Sequence, residues 1–219
     1  MSGELRGRIS VLGDSCAALH LAASIDPVVN ARCIAVASAL ESLALPGVRD
    51  VVPTYNSVTV HFDPLVADVP ALSAELGRLA EETPFASQAA SREIEIPVTY
   101  GGSSGPDLAA VAGFAGCSEA EVVRLHTETR YRVYMLGFLP GFAYLGSVDP
   151  RIAMPRLEMP RMRVAAGSVG IAGEQTGIYP CDTPGGWRVI GRTSTKVFDA
   201  ARAEPFLLKA GDCVKFVAA

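Results

Sequence analysis

Lysine is scarce in this chain of 219 residues, where it occurs only as Lys196, Lys209 and Lys215. None of the three follows the G-x-x-x-x-G run of a phosphate-binding P-loop, so if ATP is used, such a loop in this chain does not bind it. The formal net charge is −4, whereas a protein that binds nucleic acid needs a basic surface. We therefore expect no nucleic-acid partner.

Cysteine and histidine show none of the spacings that hold metals. The five cysteines are odd in number, widely scattered and never arranged as C-x-x-C, which fits neither a disulfide framework nor a zinc site. We interpret them as reduced thiols. The three histidines, His20, His61 and His126, lie far apart without an H-E-x-x-H pattern, so the sequence predicts no metal site.

Long apolar runs are also missing. The longest uncharged run, residues 133–148, is shorter than the ~18 residues that a membrane helix needs, and it contains Gly137 and Pro140. The N-terminal stretch MSGELRGRIS lacks the apolar region of a secretory signal. We expect a cytoplasmic protein without a membrane partner.

The hydrophobic content of 49% is enough for a substantial core, and at ~100–200 residues per domain the length allows one or two domains. In the first half, Asp26 and Asp68 stand as caps before two patterns of helical period. The predicted order is strand, helix, strand, strand, helix, strand, over residues 17–23, 27–45, 48–53, 58–62, 68–83 and 94–100. This order is typical of a split-βαβ, ferredoxin-like domain, an antiparallel sheet with two helices on one face.

After Tyr100 the pattern changes. Ser118 and Glu121 form a capping box that begins a helix ending near His126, and short apolar strands then alternate with turn signals at irregular intervals. This pattern predicts a closed, highly curved β-barrel. The predicted fold class is α+β, with the small domain over residues 1–93 and the barrel domain over residues 94–219.

Residues 167–194 hold seven glycines and the only tryptophan, Trp187. Glycine permits the bulges and tight corners of a small barrel, so we expect most of these glycines to be structural. They also let backbone N–H groups approach a ligand.

A G-x-S-x-G sequence spans Gly101–Gly105, after a predicted strand and before a helix, which is the setting of a hydrolase nucleophile elbow. Ser103, Asp107 and His126 could then be drawn as a catalytic triad. We favour the alternative, a flexible turn followed by an Asp107 that caps the helix. For His126, structural and functional interpretations both stay open, since its position at a helix end suits a donor ring.

The segment MPRLEMPRMR repeats Met-Pro-Arg, and each proline favours extended backbone before it. This predicts an extended loop that presents Arg156 and Arg161 outward, as a pair that could grip a carboxylate or phosphate. We expect a further set of residues to line the same cleft, namely Gln175, Thr176, Tyr179, Trp187 and Arg192.

Two blocks in this region, LGFLPGFAYL at residues 136–145 and GEQTGIYP at residues 173–180, are long enough to be specific. Together with PGVRDVVPTYNSVTVHFDP and IPVTYGGSSGPDLAAVA, they closely resemble the allophanate hydrolase subunit 1 / KipI family, which includes the B subunit of bacterial ATP-dependent 5-oxoprolinase. The resemblance spans nearly the whole chain. The family usually has proline at the position of Ala143, and its Y-G-G-x-x-G-P-D-L pattern requires no serine, which weakens the triad hypothesis further.

The resemblance implies a cyclophilin-like barrel after the small α/β domain. It also implies a partner protein of the type of allophanate hydrolase subunit 2 and the C subunit of 5-oxoprolinase. The implied activity is ATP-dependent opening of 5-oxoproline to glutamate, with ATP bound with or by the partner and the chain inactive alone. The family equally allows inhibition of a sensor histidine kinase, or a carboxyltransferase-type role on urea or another small amide.

For the ring-opening hypothesis we assign roles to the candidate residues. Arg156 and Arg161 are the clamp for a small anionic substrate, with Gln175 and Tyr179 as polar orienting groups. His126 is the candidate proton carrier. The remaining substrate-binding candidates are Thr176, Trp187 and Arg192.

Overall fold

The structure is a computed structural model that describes residues 7–84 and 92–219. The chain forms two compact units, with residues 7–84 in the first and residues 92–219 in the second. The first unit contains four strands and two helices: β1 (Arg8–Val11), β2 (Cys16–His20), α1 (Pro27–Ser42), β3 (Val48–Pro53), β4 (Ser57–Phe62) and α2 (Val69–Glu82).

Both helices of the first unit begin where the capping residues predict. The Asp26 carboxylate accepts the N–H groups of Val28 and Val29 at 2.7 and 3.1 Å, and Asp68 accepts the Ala71 N–H at 3.0 Å. Such caps satisfy N–H groups that have no partner within the first helical turn. The predicted apolar faces are buried against the sheet, with Leu40 and Leu76 almost inaccessible to solvent.

The four strands form an antiparallel sheet in the order β1-β2-β4-β3. β2 and β3 are joined through α1 with β4 between them, so the split βαβ is confirmed. The identity of the fourth strand was predicted wrongly. Residues 94–100 do not join this sheet, and Arg8–Val11 occupies the place beside β2.

The second unit contains the remaining elements: β5 (Glu93–Tyr100), α3 (Leu108–Ala115), α4 (Glu119–Glu128), β6 (Arg130–Leu136), β7 (Ala143–Gly146), a 3-10 turn (Pro150–Ile152), β8 (Arg161–Val164), β9 (Ser168–Ala172), β10 (Gln175–Ile178), β11 (Thr183–Gly185), β12 (Arg188–Arg192) and β13 (Cys213–Ala218). Seven strands close into a barrel in the order β10-β7-β6-β13-β5-β12-β9. The predicted closed barrel is thus confirmed. β8 and β11 form a separate antiparallel pair.

Strand β5 belongs to the barrel because its apolar side chains fit there. It pairs in parallel with β13, with Ile96 opposite Phe216 and Val98 opposite Ala218. Ile96, Val98 and Phe216 are fully buried, in the core that the barrel strands share with α3 and α4. The alternating pattern read from the sequence therefore identified a strand correctly but not its partner.

The turn at Gly101–Gly105 is packed against β12. The Gly101 N–H donates to the Ile190 carbonyl at 3.1 Å, and a Cβ on Gly105 would lie only 2.0 Å from that same oxygen. Ser103 is exposed. Asp107 occupies the N-cap position of α3 but makes no side-chain cap hydrogen bond, which corrects the predicted capping role. No helix in the described part of the chain is both long and apolar enough to cross a bilayer.

Two glycines of the Gly-rich stretch provide a matched test of its structural role. Both have positive φ, +80° at Gly167 and +58° at Gly173. A Cβ added at Gly167 would lie 2.1 Å from the Thr193 carbonyl oxygen, whereas a Cβ added at Gly173 would meet no atom within 4 Å. We expect Gly173→Ala to lose about 1–2 kcal/mol through left-handed backbone alone. Gly167→Ala should lose roughly 1–3 kcal/mol more, because Thr193 must shift.

The measurement is urea unfolding of each variant, followed by Trp187 fluorescence. Trp187 is the only tryptophan and lies in the barrel unit, so its emission reports on the unfolding of that unit. Equal losses in the two variants would show that crowding at Thr193 does not restrict Gly167.

Candidate binding site on the outer face of the barrel

The two faces of strand β10 divide the predicted site residues. Successive side chains on a strand point to opposite faces. Thr176 is fully buried inside the barrel, so Gln175 and Gly177 face outward. The predicted residues therefore form two groups, one inside the barrel and one on its outer face.

His126 and Thr176 make up the inner group. His126 Nδ1 lies 2.7 Å from the Tyr100 hydroxyl, and His126 Nε2 lies 2.9 Å from Thr176 Oγ1. Thr176 donates its hydroxyl to the Gly170 carbonyl at 3.0 Å, so it accepts from His126. Nε2 therefore carries the proton, and Nδ1 accepts from Tyr100.

This chain of hydrogen bonds lies in the barrel core. The His126 ring is fully buried and stacks on Phe216 with 4.6 Å between ring centroids. Burial lowers the pKa of His126 to about 3, because the charged ring would lose its hydration. The geometry favours the structural interpretation of His126 and Thr176, and it provides no Ser103–Asp107–His126 triad.

The outer group centres on aromatic rings. Phe142 makes edge-to-face contacts with Tyr144, Trp187 and Tyr179 at centroid distances of 5.0, 5.3 and 5.4 Å, an arrangement that aromatic quadrupoles favour. The barrel wall beneath carries glycine: a Cβ at Gly177 would lie 3.2 Å from both the Phe142 and Trp187 rings. The missing side chain allows the rings to lie directly on the strand.

Tyr179 packs against the main chain just before Trp187. Its hydroxyl approaches so close that a Cβ on Gly185 would lie 2.5 Å from the oxygen. Burial raises the pKa of Tyr179, although the Trp187 N–H and the charges of Arg156 and Arg161 act in the opposite direction. The hydroxyl is therefore neutral at neutral pH.

The two arginines of the Met-Pro-Arg repeat have different environments. Arg161 donates to the Asp107 carboxylate at 2.7 Å. Arg156 is exposed and lies over Gly186, with its Nε 3.7 Å from the position that a Cβ on Gly186 would take. Burial raises the pKa of Tyr144, and the positive charge of Arg156 opposes this rise. Within residues 7–84 and 92–219, no hydrogen bond or ion pair occupies the Arg156 guanidinium, which is therefore the one of the pair open to an anion.

The loop that carries Arg156 has no regular secondary structure and is bonded to Gly186 and to Arg188 of β12. The Leu157 N–H donates to the Gly186 carbonyl at 2.6 Å, and Arg188 Nε donates to the Pro155 carbonyl at 3.1 Å. These bonds hold the loop across the aromatic rings. We call the resulting region the outer-face patch and define it by five residues: Tyr144, Arg156, Arg161, Tyr179 and Trp187. Tyr179 and Trp187, which are 1% and 7% exposed, form its buried base.

Two predicted residues lie beside or away from this patch. Gln175 is on the outer face, paired across the ladder with Gly146, two residues along β7 from Tyr144. Arg192 lies at the opposite end of β12 from Trp187, where its Nε donates to the Ala166 carbonyl at 2.9 Å. The patch thus gathers four of the predicted residues, while Gln175 adjoins it and Arg192 does not.

Tyr144 and Asp107 were not among the predicted site residues. Tyr144 could have been found from the alternation in LGFLPGFAYL, where Phe142 and Tyr144 are two residues apart and so share a face. The partner of Arg161 gave no local signal, because Asp107 lies 54 residues away. Among the described residues, no three His, Cys, Asp or Glu side chains are grouped closely enough to hold a metal ion.

Comparison with known proteins identifies the family. The family described as "Carboxyltransferase domain, subdomain C and D" matches residues 7–208, nearly the whole chain. The chain belongs to this family. The resemblance to the allophanate hydrolase subunit 1 / KipI family, which the sequence motifs indicated, is thereby confirmed.

Two curated proteins with similar sequences are each named as the B subunit of 5-oxoprolinase. The protein of Escherichia coli O157:H7 is 45% identical over 213 residues, covering 97% of this chain and 96% of that protein. The protein of Bacillus subtilis (strain 168) is 41% identical, covering 97% and 93%.

A solved family structure is similar in fold. The crystal structure of TTHA0988 superposes with a TM-score of 0.82 at 40% identity, covering 93% of this chain but 40% of that protein. TTHA0988 therefore contains a large region that this chain does not match.

The buried histidine generates a pH prediction. Between pH 6.5, the ordinary pKa of histidine, and about 3, the unfolded chain binds a proton at His126 that the folded barrel does not. The free energy of unfolding should therefore fall as the pH drops through this window, by up to about 1.4 kcal/mol per pH unit. Above this window the histidine imposes no such loss.

His126→Gln should remove this part of the pH dependence while lowering stability at pH 8, because the hydrogen bonds to Tyr100 and Thr176 are weakened. Urea unfolding followed by Trp187 fluorescence at several pH values measures both effects. The control is His61→Gln, at an exposed position of β4; an equal flattening of the profile in that variant would contradict the burial argument.

Proposed function

We propose that the chain is one subunit of an ATP-dependent 5-oxoprolinase, which opens 5-oxo-L-proline to L-glutamate together with a partner of the C-subunit type. The observation that supports this most is the match, over nearly their full length, to two proteins named as B subunits of 5-oxoprolinase. The exposed guanidinium of Arg156 in the outer-face patch adds a group that could bind a carboxylate.

The patch offers this substrate a positive charge and an aromatic ring. 5-Oxoproline is a flat five-membered lactam that carries one carboxylate. The open guanidinium of Arg156 binds the carboxylate through charge-assisted hydrogen bonds, and the half-buried ring of Tyr144 packs against the lactam. We assign Arg161 to orienting the patch, since Asp107 already occupies its guanidinium.

A neutral donor completes the proposed site. Burial raises the pKa of Tyr144, so this phenol keeps its proton at neutral pH and can donate, whereas Tyr179, which is only 1% exposed, packs within the ring cluster. A donor directed at the lactam oxygen stabilises the negative charge that develops there as the ring opens. Gln175, next to Tyr144 on the outer face, is placed to orient the ring amide.

Opening an unstrained lactam is uphill near neutral pH, so the reaction needs the free energy of ATP hydrolysis. We place the nucleotide with or on the partner protein, because none of the lysines of this chain stands in a P-loop sequence. The proposed tasks of this chain are to bind the carboxylate, to orient the ring and to exclude water from one side of it.

A second candidate is a carboxyltransferase-type subunit that acts on a small amide. The family description favours it. Such a reaction requires a biotin carrier, and the chain contains no Met-Lys-Met sequence of the kind that carries biotin. Consumption of bicarbonate together with ATP, and its inhibition by avidin, would support this candidate against ring opening.

The first functional prediction concerns the complex. The purified chain alone should release no glutamate from 5-oxoproline, and mixing it with the cognate partner protein should give ATP-dependent release. The assay measures glutamate and ADP over time, with each protein alone and a mixture without ATP as controls. Absence of glutamate with both proteins and ATP present would refute the proposal.

The second concerns Arg156. Arg156→Gln should raise the KM for 5-oxoproline about 10- to 100-fold with a smaller change in kcat, since a charge-assisted hydrogen bond to a carboxylate contributes about 1.5–3 kcal/mol. Arg163→Gln is the matched control, because Arg163 lies on β8 and pairs with Asp182 at the exposed surface. An unchanged KM in the Arg156 variant would exclude this residue from the substrate site.

A further inference from the structure

Asp107 makes two hydrogen bonds to Val189 of β12 and one to Arg161 of β8. Oδ1 accepts from Arg161 Nη2 at 2.7 Å, and Oδ2 accepts the Val189 N–H at 2.7 Å. The Asp107 N–H donates in return to the Val189 carbonyl at 2.9 Å. Only 7% of Asp107 is exposed, so these partners replace water almost completely.

The bonds of Asp107 lead directly to Trp187. Val189 is two residues beyond Trp187 on the same strand segment, and Arg161 Nη1 donates to the Trp187 carbonyl at 3.5 Å. The Trp187 carbonyl therefore has a side-chain partner, Arg161, which Asp107 in turn holds.

A negative charge is needed at this position. Arg161 is two-thirds buried, with 32% of its side chain exposed, and a partly buried guanidinium without a counter-charge loses hydration that nothing replaces. A neutral side chain at 107 could still accept the Val189 N–H. It would leave the Arg161 guanidinium without a counter-charge and so hold it less strongly against the Trp187 carbonyl.

We propose that Asp107 is a positioning residue, which holds Arg161 against the main chain of Trp187 and thereby fixes the Trp187 ring in the outer-face patch. The role of the turn at Gly101–Gly105 is then structural and requires no nucleophilic serine. Its close packing on Ile190 places the Asp107 carboxylate next to β12. The effect on substrate rests on the proposed function, whereas the effect on Trp187 does not.

The test on the chain alone uses Trp187, the only tryptophan, as its own reporter. In Asp107→Asn, the side-chain amide faces Arg161 with a donor, so the Trp187 ring should lose its fixed position. We expect the emission to shift to longer wavelength and quenching by acrylamide to increase, with the far-UV circular dichroism of the wild type retained.

Asp182→Asn is the matched control. Asp182 also accepts from one arginine, Arg163 at 2.8 Å, and from one backbone N–H, that of Ala166 at 2.8 Å, but neither of these partners contacts Trp187 through a hydrogen bond in the described residues. Its replacement should leave the emission unchanged. A folded Asp107→Asn variant with wild-type emission and quenching would overturn the proposal.

A second variant keeps the proposal testable if Asp107→Asn does not fold. Arg161→Gln removes the same link from the other end and should produce the same change in Trp187 emission. In the double variant the two changes should not add, because both act through one interaction. Additive changes, or an unchanged emission in Arg161→Gln, would show that the two residues act separately.

The activity measurement separates this proposal from the proposed function. In the reconstituted complex, Asp107→Asn should lower kcat/KM for 5-oxoproline by about 10- to 100-fold, since a misplaced binding group has effects of that size, and Asp182→Asn should not. If the wild-type complex releases no glutamate, the proposed function fails while the fluorescence result still decides the role of Asp107.

Discussion

Parallel pairing between β5 and β13 joins the beginning and the end of the second unit and closes its barrel. Six consecutive residue pairs, from Cys213 opposite Glu93 to Ala218 opposite Val98, bring together segments that are 120 residues apart in sequence. Closure leaves no unpaired strand edge in the ring, and it gives every strand an inner and an outer face. The separation of the candidate residues into a buried group and a surface group follows from this closure.

The two faces use polar groups in different ways. Inside, Tyr100, His126 and Thr176 form one directional chain of neutral hydrogen bonds, which lets a histidine lie among apolar residues without charge. Outside, charge is retained: the Asp107–Arg161 pair is partly buried next to the aromatic rings, and Arg156 carries a guanidinium open to solvent. The proposed binding of a small anion therefore involves the outer face, while the inner network stabilises the barrel.

Local signals predicted local structure well. The caps at Asp26, Asp68 and Ser118 fixed three helix starts, because a capping side chain reaches only two or three residues along the chain. Ser118 accepts the Glu121 N–H as expected, although the Glu121 carboxylate binds Arg124 instead of returning to the cap. The alternating strands and the turn-rich pattern likewise indicated the barrel correctly.

The sequence pattern could not predict which strands pair when they lie far apart in the chain. Residues 94–100 read equally well as the last strand of the small sheet and as the first strand of the barrel, and the short strand Arg8–Val11 carries too few apolar residues to be noticed. The same limit applied to the site. Thr176 and Gln175 are adjacent in sequence, yet one meets His126 across 50 residues and the other faces outward, a difference that depends on the register of the closed barrel.

The edge position of Arg8–Val11 affects how the chain can be divided. Because this strand completes the first sheet, all four of its strands come from residues 7–84, and the barrel contributes none. In the described residues neither sheet takes a strand from the other unit, so the strand pairing of each unit is complete without its neighbour.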